Sequence, residues 1–162
     1  MNTKKQLILL ELMERKKQKA FLRTFARLYA RDRARAEQFS LRHARTLVCE
    51  QLAQLLPAGF KTPGHYFRNI VRLGGAPIVV GEIWYWINSK TRSFCLCYII
   101  VHPRYRRKGY ATEALSAAEL HARAERCNHA FLSVFPWNGK AIELYRKVGY
   151  SPAHLQLVKR LK

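Results

Sequence analysis

The stretch that most constrains the fold runs from Phe94 to Arg123. Phe94-Cys95-Leu96-Cys97-Tyr98-Ile99-Ile100-Val101 is an apolar run of strand length. His102 to Ala111 follows as a loop that carries Arg104, Arg106, Arg107, Lys108 and Gly109 and no acid. An alanine-rich helix is predicted from near Thr112 to about Arg123. A helix start leaves backbone N–H groups without partners and carries a partial positive charge. A glycine there lets the backbone approach a ligand, and flanking cations attract anions, so strand, loop and helix together suit a phosphate or pyrophosphate. The plainer alternative is a left-handed turn before an ordinary helix.

Elements of similar size flank this unit. Gln6 to Met13 reads as a first strand. From about Glu14 to Arg33, Phe21, Leu22, Phe25, Leu28 and Tyr29 recur at helical spacing. Arg23, Arg27 and Arg31 form a stripe on another face of that helix, after Lys16, Lys17 and Lys19. Like charges at that spacing disfavour an isolated helix, so packing must hold it. Ser40 caps a second helix with Leu41, Ala44, Leu47, Val48, Leu52 and Leu55 on its buried side, ending before Pro57. Turn residues then lead to a strand over His65 to Leu73, a Gly74-Gly75 hairpin, and a partner strand over Ile78 to Ile87. Asn88-Ser89-Lys90 turns into the central strand. After the central helix come a strand over Ala130 to Phe135 and a helix from Asn138 stopped by Gly149. Leu155 to Leu161 reads as a last strand. The order β-α-α-β-β-β-α-β-α-β reads as one mixed α/β domain over residues 1–162.

Charge is the unusual part of the composition. Thirty Lys and Arg stand against ten Asp and Glu, a net charge of +20. Such an excess favours nucleic acid, ribosomes, anionic membranes or acidic proteins, unless it serves solubility alone. Along the sequence, aromatic residues are not interleaved with the basic stripe as they are in stacking platforms. No apolar run approaches the ~18–20 residues of a membrane span. The start, Met1 to Lys5 followed by Gln6 to Leu10, is leader-like, but Glu11, Glu14 and Arg15 interrupt it and no small-residue cleavage site follows. A cytoplasmic protein is expected. Cys49, Cys95, Cys97 and Cys127 are expected as buried free thiols. Cys127-x-His129 lacks a second pair at zinc spacing, so no metal is expected.

Arg106-x-x-Gly109-x-Ala111, after a strand ending Val101-x-Pro103, resembles the acetyl-CoA-binding motif of the GNAT superfamily of N-acetyltransferases. Asn138, Ala141, Leu144, Tyr145, Gly149 and Tyr150 resemble the family's second signature, and Leu56 to His65 resembles a connection found in one bacterial branch. The resemblance covers most of the chain and is weakest over the first forty residues. It implies the GNAT fold, a mixed and mostly antiparallel sheet flanked by helices. It implies acetyl transfer from acetyl-CoA, as co-substrate, to an amine acceptor.

Position by position, the resemblance implies that the backbone of Ile99, Ile100 and Val101 pairs with the pantetheine arm. Arg107, Lys108, Gly109, Tyr110, Ala111 and Thr112 would cradle the pyrophosphate, with Arg106 opening the motif. Asn138 and Ala141 would face the cofactor, and Tyr145 would protonate the departing thiolate. Tyr145 is otherwise an ordinary core tyrosine at helical spacing. The proton acceptor is less determined. Tyr98, Ile100 and Ser133 stand where relatives carry acids. Glu82 remains as the candidate base, with His65 and His102 behind it, or water takes the proton. The competing function is a GNAT-like protein with weak or lost catalysis that binds nucleic acid or the ribosome through its basic surface. The acceptor and the oligomeric state, a homodimer among the options, stay open.

Overall fold

The structure is a computed structural model that describes residues 7–161. The expected strand start at Gln6 and the leader-like Met1 to Lys5 lie outside the described residues. The chain packs as two compact units: residues 7–14 with Pro63–Ser133, and Arg15–Thr62 with residues 134–161.

The first unit is a five-stranded sheet in sequence order. Its strands are β1 (Ile8–Leu12), β2 (His65–Arg72), β3 (Ile78–Asn88), β4 (Ser93–Val101) and β5 (His129–Leu132). The first three pairings are antiparallel and β4 with β5 is parallel, which gives the mixed, mostly antiparallel sheet. Short connections force the β2–β3 and β3–β4 hairpins to be antiparallel. The parallel step needs a crossover, supplied by helix α3 (Tyr110–Ala124). Asn88 Oδ1 accepts from the Lys90 and Thr91 N–H groups and so closes the β3–β4 turn. Helix α3 lays Tyr110, Ala114, Leu115, Ala118 and Ala122 against the sheet, and the alanines let it approach closely. The buried Tyr85 hydroxyl lies 3.0 Å from His121 Nδ1 and ties β3 to that helix; burial pushes its phenol up to about 12, so it stays protonated.

Register is irregular where it matters. Trp84 faces Tyr98 while Tyr85 faces Leu96, so Cys97 is one residue too many and bulges from β4. Upstream of that bulge, Gly81 is buried opposite Val101, and a Cβ on it would overlap the Ile100 carbonyl. No side chain can shift to relieve a clash with backbone. Gly81→Ala is therefore expected to destabilise by about 1–3 kcal/mol, an overpacking cost, and to lower Tm by roughly 3–10 °C in a thermal melt.

The second unit pairs helices α1 (Arg15–Glu37) and α2 (Leu41–Leu55) through Ala30, Ala44 and Val48, with Tyr29 and Leu52 packed beside them. Ser40 Oγ accepts from the His43 N–H at 3.2 Å, the expected cap, worth about 1 kcal/mol. Helix α4 (Gly139–Lys147) follows Asn138 as its N-cap and ends where the Gly149 N–H donates to the Arg146 carbonyl.

Several expectations change. The last strand over Leu155 to Leu161 does not form: residues 151–161 are irregular, and Leu155, Leu157 and Leu161 are 79%, 83% and 83% exposed. Apolar residues alone do not make a strand, and no sheet edge receives these. Among the described residues the sheet ends at β5. That strand stops at Leu132, so Phe135 and Ser133 lie beyond it. Helix α1 runs to Glu37, and α3 starts at Tyr110, ahead of Thr112. Leu41 is 38% exposed, Cys49 is exposed, and the other three thiols are only half-buried.

Candidate functional site

Strand β5 pairs with β4 only from Ser93 to Leu96. Beyond the bulge, β4 continues to Val101 paired with β3 alone. A strand turns alternate backbone groups to its two sides. Over residues 99–101, one edge of β4 thus has no strand partner among the described residues. Apart from the Val101 carbonyl, which Arg106 Nε holds, its outward backbone groups suit an extended ligand, as an added strand would take them. Ile99, Ile100 and Val101 are half-buried along this edge.

The loop leaves directly from that edge. The His102 N–H donates to the Val80 carbonyl at 2.8 Å, and Pro103–Tyr105 makes one 3-10 turn. Arg106 Nε donates to the Val101 carbonyl at 2.9 Å, so this side chain braces the loop on the strand end. Arg107 (φ 63°) and Gly109 (φ 82°) are both left-handed. Left-handed residues among ordinary ones turn successive N–H groups into a concavity. Gly109 caps α3 with no side-chain hydrogen bond. The Glu113 N–H already bonds the Gly109 carbonyl, so the N–H groups of Tyr110, Ala111 and Thr112 precede the helical ladder. Tyr110 is buried and anchors the turn, while Arg107, Lys108 and Gly109 are exposed. A Cβ on Gly109 would meet nothing within 4 Å, so the space above it is open. Donors, cations and space all fit a pyrophosphate.

On the sheet face shared by Trp84, Tyr98 and Ile100 stands Glu82, opposite Ile100. His102 Nε2 lies 3.0 Å from Glu82 Oε1, with both side chains partly exposed. With Nε2–H donated to the carboxylate, Nδ1 keeps the ring's lone pair, and the pair is arranged to accept a proton. The sequence reading named both residues but not their pairing, because the bulge decides which β3 residue reaches the end of β4. His65 differs. The Trp84 indole N–H donates to its Nδ1 at 3.1 Å and burial lowers its pKa, so its lone pair is already occupied.

The second unit carries the other signature. The Asn138 carbonyl accepts from the Ala141 and Ile142 N–H groups at 3.0 Å each, and its side chain makes no capping bond. Ala141 is half-buried. Tyr145 sits edge-on to Tyr150, ring centroids 6.1 Å apart, and burial raises its pKa. The candidate residues thus fall into two sets. Glu82 and residues 99–112 belong to the sheet unit; Asn138, Ala141 and Tyr145 belong to the helical one. Ser133, off its strand, presents no carboxylate.

Comparison with known proteins gives the family and the fold. Residues 26–150 match the model of the Acetyltransferase (GNAT) family. The chain is similar to the uncharacterized N-acetyltransferase YycN of Bacillus subtilis, 28% identical over 159 residues, which cover 95% of this chain and 99% of that protein. The crystal structure of YycN superposes with a TM-score of 0.84 at 26% identity, covering 96% and 99% of the two chains. A second B. subtilis relative, the uncharacterized N-acetyltransferase YdgE, is 28% identical over 110 residues, 66% of this chain and 68% of that one. At 19% identity, the spermidine N-acetyltransferase of Vibrio cholerae, solved with CoA and spermine, shares the fold with a TM-score of 0.61 over 92% of this chain and 84% of that one.

Proposed function

Because the chain belongs to the acetyltransferase (GNAT) family, we propose that it transfers acetyl from acetyl-CoA to a primary amine on a small molecule, a peptide N-terminus or a lysine. The observation that carries this reading is the open edge of β4 over residues 99–101, running into the start of α3 at Gly109, which no side chain caps. An extended arm with backbone-like amides suits the edge, and its pyrophosphate suits the loop. Acetyl-CoA supplies an activated thioester with both features. The V. cholerae structure holds CoA together with a polyamine on the same fold, which supports an amine as acceptor.

In this reading Ile99, Ile100 and Val101 hold the pantetheine arm. Arg107 to Thr112 hold the pyrophosphate, and Asn138 and Ala141 face the cofactor. The amine nitrogen forms a bond to the acetyl carbon as the carbon–sulfur bond breaks. The amine's proton passes to the Glu82–His102 pair or to water. Tyr145 gives its proton to the departing thiolate; its raised pKa keeps the phenol protonated and ready as an acid at neutral pH.

A thermal melt with acetyl-CoA tests the first half. At a hundredfold excess over Kd, linkage stabilises by about 2.7 kcal/mol, or roughly 5–11 °C for a chain of this size. Amine-dependent thiol release across a panel of polyamines, aminoglycosides and peptides tests the second half. No shift at millimolar acetyl-CoA together with no thiol release would overturn the proposal. A shift without thiol release from any amine would leave a cofactor-binding protein and reject the transferase.

A further inference from the structure

The sequence shows Arg23, Arg27 and Arg31 as a stripe. In the folded chain that stripe is the middle of a longer row. Arg15, Lys19, Arg23, Arg27, Arg31 and Arg35 follow one another at every fourth position of α1, and all six are exposed. The row rises about 30 Å in steps of about 6 Å and turns about 40° per step, so it winds roughly 200° round the helix as a ridge that a flexible strand can follow. None of the six forms an ion pair among the described residues. The helix's two acids are engaged elsewhere: Glu37 pairs with Arg33 at 2.7 Å, and Asp32 accepts the Trp137 indole N–H at 3.1 Å.

Such a row opposes the helix that carries it. Each like-charged pair at this spacing disfavours the helix by about 0.2–0.5 kcal/mol, and the row contains five such steps in succession. A face that only needed solvation would do better with acids alternating along it. An unbroken line of cations makes physical sense where a line of anions neutralises it.

The end of the row adds a second observation. The Arg35 guanidinium lies over the Trp137 ring, 4.2 Å from its centroid. Trp137 stacks in turn on Phe135, with ring centroids 5.2 Å apart and planes 5° apart, and is itself 36% exposed. Trp137 is about a hundred residues away in sequence, so no reading of α1 alone could pair it with the stripe. Aromatic faces and guanidinium planes are where unpaired bases stack. We propose that this basic ridge of α1, with the Arg35–Trp137 stack at its end, binds single-stranded nucleic acid. The row follows the phosphates, and a base stacks on the outer plane of the exposed Arg35 guanidinium, which Trp137 holds from beneath. A membrane surface suits the face less well, because α1 has no large exposed apolar residue to insert. An acidic protein would use the row but make no use of the flat guanidinium plane that Trp137 holds outward.

The test uses a labelled 20-nucleotide oligouridylate, a 20-base-pair DNA duplex, and vesicles containing phosphatidylserine. Binding of each is followed by anisotropy or sedimentation between 50 and 200 mM salt. The oligouridylate should bind with a log–log salt slope of about −4, from six cations at roughly 0.7 each. Replacing Arg23, Arg27 and Arg31 together by Gln should weaken binding at least tenfold and flatten the slope by about 2. That variant should melt no lower than the wild type, since like-charge repulsion is relieved, and its acetyl-CoA affinity should not move. Trp137→Ala should weaken the oligouridylate about tenfold, leave its salt slope alone, and scarcely touch the duplex. Three results would each overturn the proposal: unchanged oligouridylate affinity in a folded triple variant, indifference of the oligouridylate to Trp137→Ala, or preferential binding of vesicles or duplex. None of them bears on acetyl transfer.

Discussion

Gly109→Asp is expected to abolish acetyl-CoA binding, by at least a hundredfold, while the protein stays folded. Gly109 stands at φ 82° and caps α3 without a side-chain hydrogen bond. A Cβ there would meet no atom within 4 Å, so bulk is tolerated. Asp also enters the left-handed region more readily than most residues, so backbone strain stays small. What the substitution changes is charge. A carboxylate at a helix start lies where the N–H groups of Tyr110, Ala111 and Thr112 and the partial positive charge would receive a phosphate. It satisfies those donors from within and repels the ligand's own anion. Gly109→Asn separates the two contributions, since it keeps the shape and removes the charge. Its expected loss is about tenfold. Calorimetric titration with acetyl-CoA, beside a melt of each variant, reads both. Wild-type affinity in a folded Gly109→Asp protein would remove this loop from the cofactor site.

The loop illustrates which features were legible in the sequence and which were not. Local chemistry showed through. Ser40 caps α2, Asn88 closes the β3–β4 turn, and Gly109 opens α3, because each acts on backbone a few residues away. The strands β2, β3 and β4 were legible because β-branched, aromatic and apolar residues of strand length lie between turn residues there. Leu155 to Leu161 is also rich in apolar residues and failed, because such a run becomes a strand only when a sheet accepts it. The bulge at Cys97 left no mark in the composition of β4, yet it sets the register of the strand end. From that register follow the open edge at residues 99–101, the need for glycine at 81, and the meeting of Glu82 with His102. The stacking of Arg35 on Trp137 was equally hidden, because it joins residues distant in sequence.

The Tyr145 side of the reaction separates from the base side by experiment. Tyr145→Phe removes one hydroxyl and leaves the ring that meets Tyr150 in place. Acetyl-CoA affinity should hold and kcat should fall. General acid catalysis is typically worth ~10²–10⁴-fold. The low end is expected, since a thiolate leaves readily without help. Burial raises the Tyr145 pKa above its ordinary value near 10. A group that donates only while protonated therefore keeps its proton over a wider range, and Tyr145 sets no alkaline limit on the rate near neutral pH. The acidic limb of kcat/KM belongs to the other proton. If water takes it, only neutral amines react, and the limb moves with the amine's own pKa when a less basic amine is substituted. If the Glu82–His102 pair takes it, the limb stays in place across amines. In that case it should be lost in His102→Asn, which removes the nitrogen that accepts the proton. It should weaken or shift in Glu82→Gln, where the amide can still position the ring but carries no charge. Two amines of different pKa, measured with wild type, Glu82→Gln and His102→Asn, distinguish the two routes. Full turnover by Tyr145→Phe with both amines, under conditions where chemistry limits the rate, would show that the thiolate leaves without a proton from Tyr145.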